Sequence, residues 1–379
     1  MSKIIDSFSL KTKIIANQGS LEELKNLKGK KAFIVSDKVM AELGFLSQVI
    51  DYLRKGQIGT ESFTGIRPDP DTKVIAEGLK AFQKADPDIL IAIGGGSAID
   101  AAKGILISAT QFLDSEKKRP YFVAIPSTSG TGSEVTNFSV ITVGADKVCL
   151  VDEYIAPDLA ILDATCIENI PNRVVVDTGI DVLVHATEAY VSSNATDFTD
   201  ALAEKTIQLV FEYLPMLHKN VKNSYARDRV HNASSMAGIA FTNAGLGITH
   251  SLSHAVGGKF HIAHGRCNAL LLEAVIEYNA ELQGAADTLA AEKYAKLAKI
   301  LNLPARTTRE GVVSYIDAIK GLKKELGIES GFRELLTDQN VYEESLTYMT
   351  EAAAIDRCTP TNPRIPSISD LRDIYTKVY

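Results

Sequence analysis

The chain has 379 residues, of which 45% are hydrophobic and 23% charged, and it carries a formal net charge of −7. That composition supplies a large core, excludes a disordered polymer and, by length, suggests two domains. An acidic balance with no Lys/Arg-rich tract excludes nucleic acid and membrane surfaces as partners, since both need a basic patch, and leaves small molecules.

No run approaches the ~18 uninterrupted apolar residues of a membrane span. The start, Met1-Ser-Lys-Ile-Ile-Asp, lacks the apolar segment of a secretion signal, so a cytoplasmic protein is expected. Cys149, Cys166, Cys267 and Cys358 never form a Cys-x-x-Cys pair. Neither a disulfide framework nor a thiolate zinc site is therefore indicated.

In chain order, the first half alternates short β-branched runs with amphipathic stretches: Lys31-Ala-Phe-Ile-Val35, Ile89-Leu-Ile-Ala-Ile93 and Tyr121-Phe-Val-Ala-Ile125. That rhythm predicts α/β architecture with a mainly parallel sheet. The Pro-Asp-Pro turn at Pro68–Pro70 reads as a loop between elements, because periodic segments resume on both sides.

Each of the three runs ends in residues suited to a nucleotide, where open parallel sheets present their ligands. The first ends in Ser36-Asp37, a carboxylate able to accept two ribose hydroxyls and repel a 2′-phosphate, which favours NAD over NADP. The second ends in Gly94-Gly-Gly-Ser97 ahead of a helix, whose free N–H groups and dipole suit a pyrophosphate. The third ends in Pro126-Ser-Thr-Ser-Gly-Thr-Gly-Ser-Glu134, rich in hydroxyl donors. A lone Gly-rich turn is weak evidence, since glycine also serves tight turns sterically; three polar turns after three strands are far stronger. The order is unusual, because the acid precedes the glycines rather than following them by about 20 residues.

From about Thr178 onward, long helical-period stretches such as Asp200–Leu214 and Ala286–Leu301 replace the strands. The expected organisation is an α/β dinucleotide-binding domain over 1–177 and an all-helical metal-binding and catalytic domain over 178–379. Four of the seven histidines, His250, His254, His261 and His264, fall within fifteen residues. They are embedded in Leu, Ile, Val, Ala and Gly, which predicts a buried setting. Several unpaired imidazoles there would be costly, whereas a metal satisfies one ring nitrogen of each. A second half-site, Asp181 with His185 four residues on, would share one helix face. The bland reading makes Asp181 the acidic partner of a capping box begun at Thr178.

Taken together, the Gly-Gly-Gly-Ser turn, Thr128-Ser-Gly-Thr-Gly-Ser-Glu-Val-Thr136, Asp177-Thr-Gly-Ile-Asp181-x-x-x-His185 and His250-x-x-x-His254-(9)-His264-Gly265 resemble the iron-dependent (group III) alcohol dehydrogenases. The resemblance runs from Phe8-Ser-Leu-Lys-Thr12 through Cys358-Thr-Pro-Thr-Asn-Pro-Arg364 and includes the dehydroquinate synthase-like architecture of that family. Within it, the chain looks most like the propanol and ethanol dehydrogenases of bacterial microcompartments and the alcohol dehydrogenase half of bifunctional aldehyde/alcohol dehydrogenases. The likeness implies Asp181, His185, His250 and His264 as ligands to Fe(2+), Zn(2+) being equally suited on donor type. It implies Asp37, Gly95, Gly96, Ser97, Thr128, Thr131, Thr136 and Lys147 as contacts to NAD(H); the Thr142–Lys147 hairpin is shorter here than in many members. His254 matches a histidine near the substrate and His261 one near the nicotinamide, and either could relay the proton.

Cys358 matches a cysteine beside the active-site cleft, although a buried free cysteine is usually inert filling. Phe138 stands where the lactaldehyde-reducing branch has an asparagine, so the substrate pocket should favour short unbranched aldehydes over lactaldehyde. The implied reaction is hydride exchange between NAD(H) and a short primary alcohol or aldehyde, in a homodimer or larger homo-oligomer, cytoplasmic or housed with other microcompartment enzymes. The rival is a dehydroquinate synthase-like lyase, whose phosphorylated, carboxylated substrate needs a Lys/Arg cluster where these segments offer only Lys259 and Arg266. A catalytically silent scaffold is disfavoured by the complete ligand and nucleotide sets.

Overall fold

The computed structural model describes residues 7–110, 118–144 and 146–379. The chain divides into two compact units, Ser9–Ile170 and Pro171–Tyr379, the second joined by Phe8, whose ring stacks on Phe198 at 5.4 Å between centroids.

The first unit contains β1 (Lys13–Ala16), β2 (Lys31–Asp37), α1 (Lys38–Glu42), α2 (Phe45–Lys55), β3 (Gly59–Ile66), α3 (Thr72–Ala85), β4 (Ile89–Gly94), α4 (Gly96–Ala109), β5 (Tyr121–Pro126), β6 (Phe138–Val143), β7 (Asp146–Val151) and β8 (Leu159–Leu162). The three runs anticipated as strands are β2, β4 and β5, and Pro68–Pro70 lies in the loop between β3 and α3. Six strands form one sheet in the order β1-β8-β5-β4-β2-β3, every pairing parallel; β6 and β7 form a separate antiparallel ribbon.

Side chains along β4 alternate between two cores, as the two-residue period of a strand requires. Leu90 and Ala92 join α3 and α4 on one face, while Ile89, Ile91 and Ile93 join Leu46, Val49 and Leu53 of α2 on the other. Both faces are covered, which is why the strand reads as a continuous apolar run. From β2 the chain moves outward to β3, whereas from β4 it moves the opposite way to β5. The strand order therefore reverses between β2 and β4, and such a switch point opens a crevice at the carboxyl ends of the two strands. Those ends carry Asp37 and Gly94.

The second unit contains α5 (Asn172–Val191), α6 (Asp197–Lys219), α7 (Ser224–Ala244), α8 (Ile248–Phe260), α9 (His264–Asn279), α10 (Leu289–Ile300), α11 (Thr308–Glu325), α12 (Gln339–Ala354) and α13 (Ile368–Val378). Asp200–Leu214 lies in α6 and most of Ala286–Leu301 in α10. Side-chain caps start several of these helices, with capping boxes at Thr196 and Ser367.

Helix α5 begins at Asn172, six residues before Thr178. The run Arg173-Val-Val-Val176 has weak intrinsic helix preference, so periodicity alone finds the helix late. Thr178 is consequently mid-helix, its hydroxyl donating to the Val174 carbonyl at 2.9 Å, and the capping-box reading of Asp181 fails. Helix α5 is surrounded by α6, α7 and α9 and is buried from Gly179 to Val191. Among the described residues no helix is long and apolar enough to cross a membrane.

Candidate metal centre and nucleotide turns

Asp181 and His185 stand one turn apart on α5, His250 and His254 one turn apart on α8, and His264 is the first residue of α9. The close approach of α9 to α5 depends on Gly265, where a Cβ would lie 1.9 Å from the Asp177 carbonyl oxygen. That contact explains the His-Gly pair of the motif: the glycine lets the start of α9 seat against the turn that leads to Asp181.

Asp181, His250 and His264 present ligand atoms within 4.8 Å of one another. His185 is not drawn into that trio. Its ring stacks between His250, 4.6 Å away, and Phe241, 4.7 Å away, and its Nδ1 is buried without a hydrogen-bond partner. The expected burial of the histidine run holds only at one end. His250 is buried, whereas His254 and His264 keep side chains 43% and 40% exposed and His261 is exposed in a left-handed turn that ends α8. The run therefore buries His250 and leaves His254, His261 and His264 accessible.

Three acceptors converge on the Asn268 amide nitrogen: Asp181 Oδ1 at 2.6 Å, His250 Nε2 at 3.2 Å and His264 Nε2 at 3.1 Å. An amide has two protons and cannot serve three acceptors. Its own Oδ1 is buried with no partner. One carboxylate oxygen and two imidazole lone pairs focused on one point, with a third imidazole nitrogen orphaned beside them, constitute a donor set that fits a divalent cation.

The tautomers agree with this reading. Glu188, fully within α5, accepts from the backbone of Gly247 at 2.9 Å and Thr249 at 2.6 Å, and pairs with His250 Nδ1 at 2.6 Å. A carboxylate so placed accepts a hydrogen bond from Nδ1–H and leaves the Nε2 lone pair for a metal. Ser253 donates to the His264 carbonyl at 3.2 Å, so its oxygen can accept from His264 Nδ1 at 3.3 Å. Burial, reinforced by the neighbouring imidazoles of His185 and His264, holds His250 well below the usual histidine range and hence neutral. Burial would raise the Asp181 carboxyl, but the imidazoles of His185, His264 and His250 outweigh it and keep that group below its ordinary value.

A second cluster adjoins the first. His254 Nδ1 meets Asp356 Oδ2 at 2.9 Å, and the His254 ring lies nearly parallel to that of His264 at 5.2 Å. The other oxygen of Asp356 accepts from the Cys358 backbone at 2.8 Å and from Ser251 at 3.2 Å. Burial opposes ionisation of Asp356, yet the bond to His254 prevails and holds its carboxyl well below the carboxylate range. Cys358 is buried, and burial first, then Asp356, pushes its thiol far up; it is packing rather than a nucleophile.

In the other unit the three turns are brought together. Gly94 has φ 153°, and a Cβ there would lie 2.6 Å from Ala98 and 2.9 Å from Asp37 Oδ2; a Cβ on Gly96 would lie 2.8 Å from Thr131, and one on Gly95 3.4 Å from Thr128. Glycine is thus required at positions 94 and 96 for close approach of the chain segments, and the resulting cradle at the α4 N-terminus suits a phosphate. Asp37 Oδ1 caps α1 through Met40 N at 2.9 Å. Thr136 is buried and its hydroxyl accepts from Lys103 at 3.0 Å. Lys147 is exposed and paired with Asp69 at 2.6 Å. Phe138 opens β6 and is half-buried.

Glu188, Asn268 and Asp356 escape a reading of the sequence by motif. Glu188 and Asn268 do carry a signal, each falling at helical spacing from a proposed ligand, three residues after His185 and four after His264. Asp356 carries none, being 102 residues from its histidine.

Residues 11–164 match the family description "Iron-containing alcohol dehydrogenase", and residues 175–379 match "Fe-containing alcohol dehydrogenase family, C-terminal". The chain is 40% identical over 374 residues to the 1-propanol dehydrogenase of Citrobacter freundii, covering 97% of this chain and 98% of that protein. It is 39% identical over 402 residues to the aldehyde-alcohol dehydrogenase of Streptococcus pneumoniae, covering 98% of this chain but 45% of that protein; the chain thus spans under half the length of that relative. The iron-containing alcohol dehydrogenase of Thermococcus thioreducens has a similar structure, with a TM-score of 0.90 at 35% identity over 98% of this chain and 99% of that one. The chain therefore belongs to the iron-containing alcohol dehydrogenase family and is an oxidoreductase.

Proposed function

We propose that the chain interconverts short unbranched primary alcohols (ethanol, propanol and butanol) and their aldehydes with NAD(H), using Fe(II) at the Asp181 site. The observation that carries this reading is the convergence of Asp181 Oδ1, His250 Nε2 and His264 Nε2 on one point. Asp181, His185, His250 and His264 would hold the ion. Such an ion supplies Lewis acidity toward the substrate oxygen, and NAD(H) supplies or accepts the hydride.

The chain's own residues provide the rest. Glu188 and Ser253 fix the imidazoles of His250 and His264 in the ligating tautomer. His254 keeps its Nδ1 proton and donates it in a hydrogen bond to ionised Asp356, which leaves His254 Nε2 as the atom that accepts or returns a proton. Its part-exposed side chain lets that proton reach solvent. His254 is preferred over His261 for this role because it alone of the two is oriented by a carboxylate pair within the site.

The relatives cover several short substrates by name: 1-propanol dehydrogenase, the butanol dehydrogenase of Clostridium saccharobutylicum at 38% identity over 98% of this chain and 97% of that protein, and a 1,3-propanediol oxidoreductase of similar structure, TM-score 0.91 at 30% identity, covering 99% of this chain and all of that one. Phe138 decides among them in this reading. An aromatic ring offers no partner to a second substrate hydroxyl, and an unmet buried hydroxyl costs about 1–3 kcal/mol, roughly tenfold or more in kcat/KM. Propionaldehyde should therefore be reduced at least about tenfold more efficiently than lactaldehyde, and Phe138→Asn should narrow the ratio. Steady-state kcat/KM for both aldehydes in the two proteins measures this. A wild type that prefers lactaldehyde would make the chain a lactaldehyde reductase instead.

A further inference from the structure

Helix α4 begins at the glycine turn and buries an ammonium group two turns further on. Lys103 is fully buried. Its Nζ donates to the Ser133 carbonyl at 2.7 Å, the Phe138 carbonyl at 2.6 Å, and the hydroxyls of Ser133 and Thr136 at 3.0 Å each. Asp100, on the same face of α4, completes the attachment. Its Oδ1 accepts from the Ser133 hydroxyl at 2.6 Å, its Oδ2 accepts from Val140 N at 3.1 Å, and its carbonyl accepts from the Ser139 hydroxyl at 2.8 Å.

These bonds fasten residues 133–140 to the helix whose first turn the Thr131 side chain also touches. A buried charge pair is costly, and an apolar side chain of similar volume would fill the same space at lower cost. What the apolar substitute could not do is hold two carbonyls and two hydroxyls of an irregular segment in a single arrangement. We infer that Lys103 is a positioning residue for the nucleotide: its ammonium keeps the hydroxyl-bearing segment between β5 and β6 in the form that binds NAD(H). This rests on the nucleotide reading given above.

The chemistry of the ammonium makes the inference testable. Four acceptors surround a group with three protons; a neutral amine has two, so deprotonation leaves at least two acceptors unmet. The titratable groups facing Lys103 are Asp100 on α4, Glu134 in the attached segment and Cys149 on β7. Burial draws Lys103 down to about 8, against the opposing pull of Asp100 and Glu134. If nucleotide binding requires the protonated form, affinity is full below that value and falls as pH rises through it. Linkage then gives about a tenfold weakening between pH 7 and pH 9.

The test is a titration of iron-loaded protein with NADH, followed by nucleotide fluorescence at pH 7 and pH 9, for wild type, Lys103→Met and Lys103→Arg. Thermal melting and iron content are measured on each preparation. Wild type should lose about tenfold in affinity over this range. Lys103→Met should bind at least about tenfold more weakly at pH 7 and show no pH dependence. Lys103→Arg, which stays charged at both values, should bind within about fivefold of wild type at pH 7 and be equally flat. Should the methionine variant not fold, the arginine variant carries the comparison. A wild-type pH dependence that survives in either variant, or a folded Lys103→Met protein with an unchanged Kd, overturns the inference. A wild type that binds no NADH at either pH overturns the nucleotide reading itself.

Discussion

Replacing His250 with alanine should remove the metal and, with it, at least about a thousandfold of the aldehyde reductase rate. His250 is buried at the meeting of α5, α8 and α9 and supplies one of the three donors focused on Asn268. A shortened side chain there also releases Glu188, a buried carboxylate that loses one of its partners. Glu188→Gln is the graded comparison. The amide keeps the volume but no longer presents two acceptor oxygens to the Gly247, Thr249 and His250 donors, so it should weaken metal binding about 10–100-fold without abolishing it. Metal content by mass spectrometry on matched preparations distinguishes the two. A His250→Ala protein that retains stoichiometric metal and normal turnover would remove His250 from the ligand set, and Glu188→Gln affinity equal to wild type would reduce Glu188 to a helix-packing residue.

The cofactor prediction concerns Asp37. Its Oδ1 caps α1, and its Oδ2 faces the glycine turn, 2.9 Å from where a Cβ on Gly94 would stand. A carboxylate at that strand end favours two ribose hydroxyls and repels a 2′-phosphate. Asp37→Gly is the informative substitution because glycine replaces a capping aspartate at a cost of only a few tenths of a kcal/mol. The wild type should prefer NADH over NADPH by a large factor in kcat/KM, and the glycine variant should narrow that ratio by about tenfold or more, chiefly through better use of NADPH. The related butanol dehydrogenase of Clostridium saccharobutylicum is named as NADPH-dependent, so the choice of cofactor is a property to be measured in each chain. An unchanged ratio would show that Asp37 serves α1 alone.

How far the sequence discloses this molecule depends on whether the information is local. The strands β2, β4 and β5 are legible because each is a short apolar run bounded by turn residues, but the strand order whose reversal brings Asp37 beside Gly94 is not, since it depends on how all six strands pair. The proposed ligands Asp181 and His185 are legible as a helical spacing, and His250 and His264 stand out because imidazole is rare elsewhere in the chain. The start of α5 is not legible, since Val174, Val175 and Val176 are poor helix formers that tertiary packing nonetheless holds in a helix. Nor is the exposure of His254 and His264, which depends on which side of α8 meets α9. Asp356 reaches His254 from another helix end, and Lys103 looks like one more polar residue of an amphipathic helix until the segment it fastens is folded over it. Spacing reveals what one element carries; only the packing of elements reveals what a residue meets.

The central claim is that catalysis depends on a cation held by Asp181, His250 and His264 with His185. It is tested most directly by stripping the protein with a chelator under anaerobic conditions and returning Fe(II) in steps, with bound iron and NADH-dependent propionaldehyde reduction measured on the same samples. The rate should rise in proportion to bound iron and level off near one ion per chain, while an Asp181→Ala protein taken through the same steps gains neither iron nor rate. Full turnover by the stripped protein, or recovery of the Asp181→Ala protein to the wild-type rate, would contradict it.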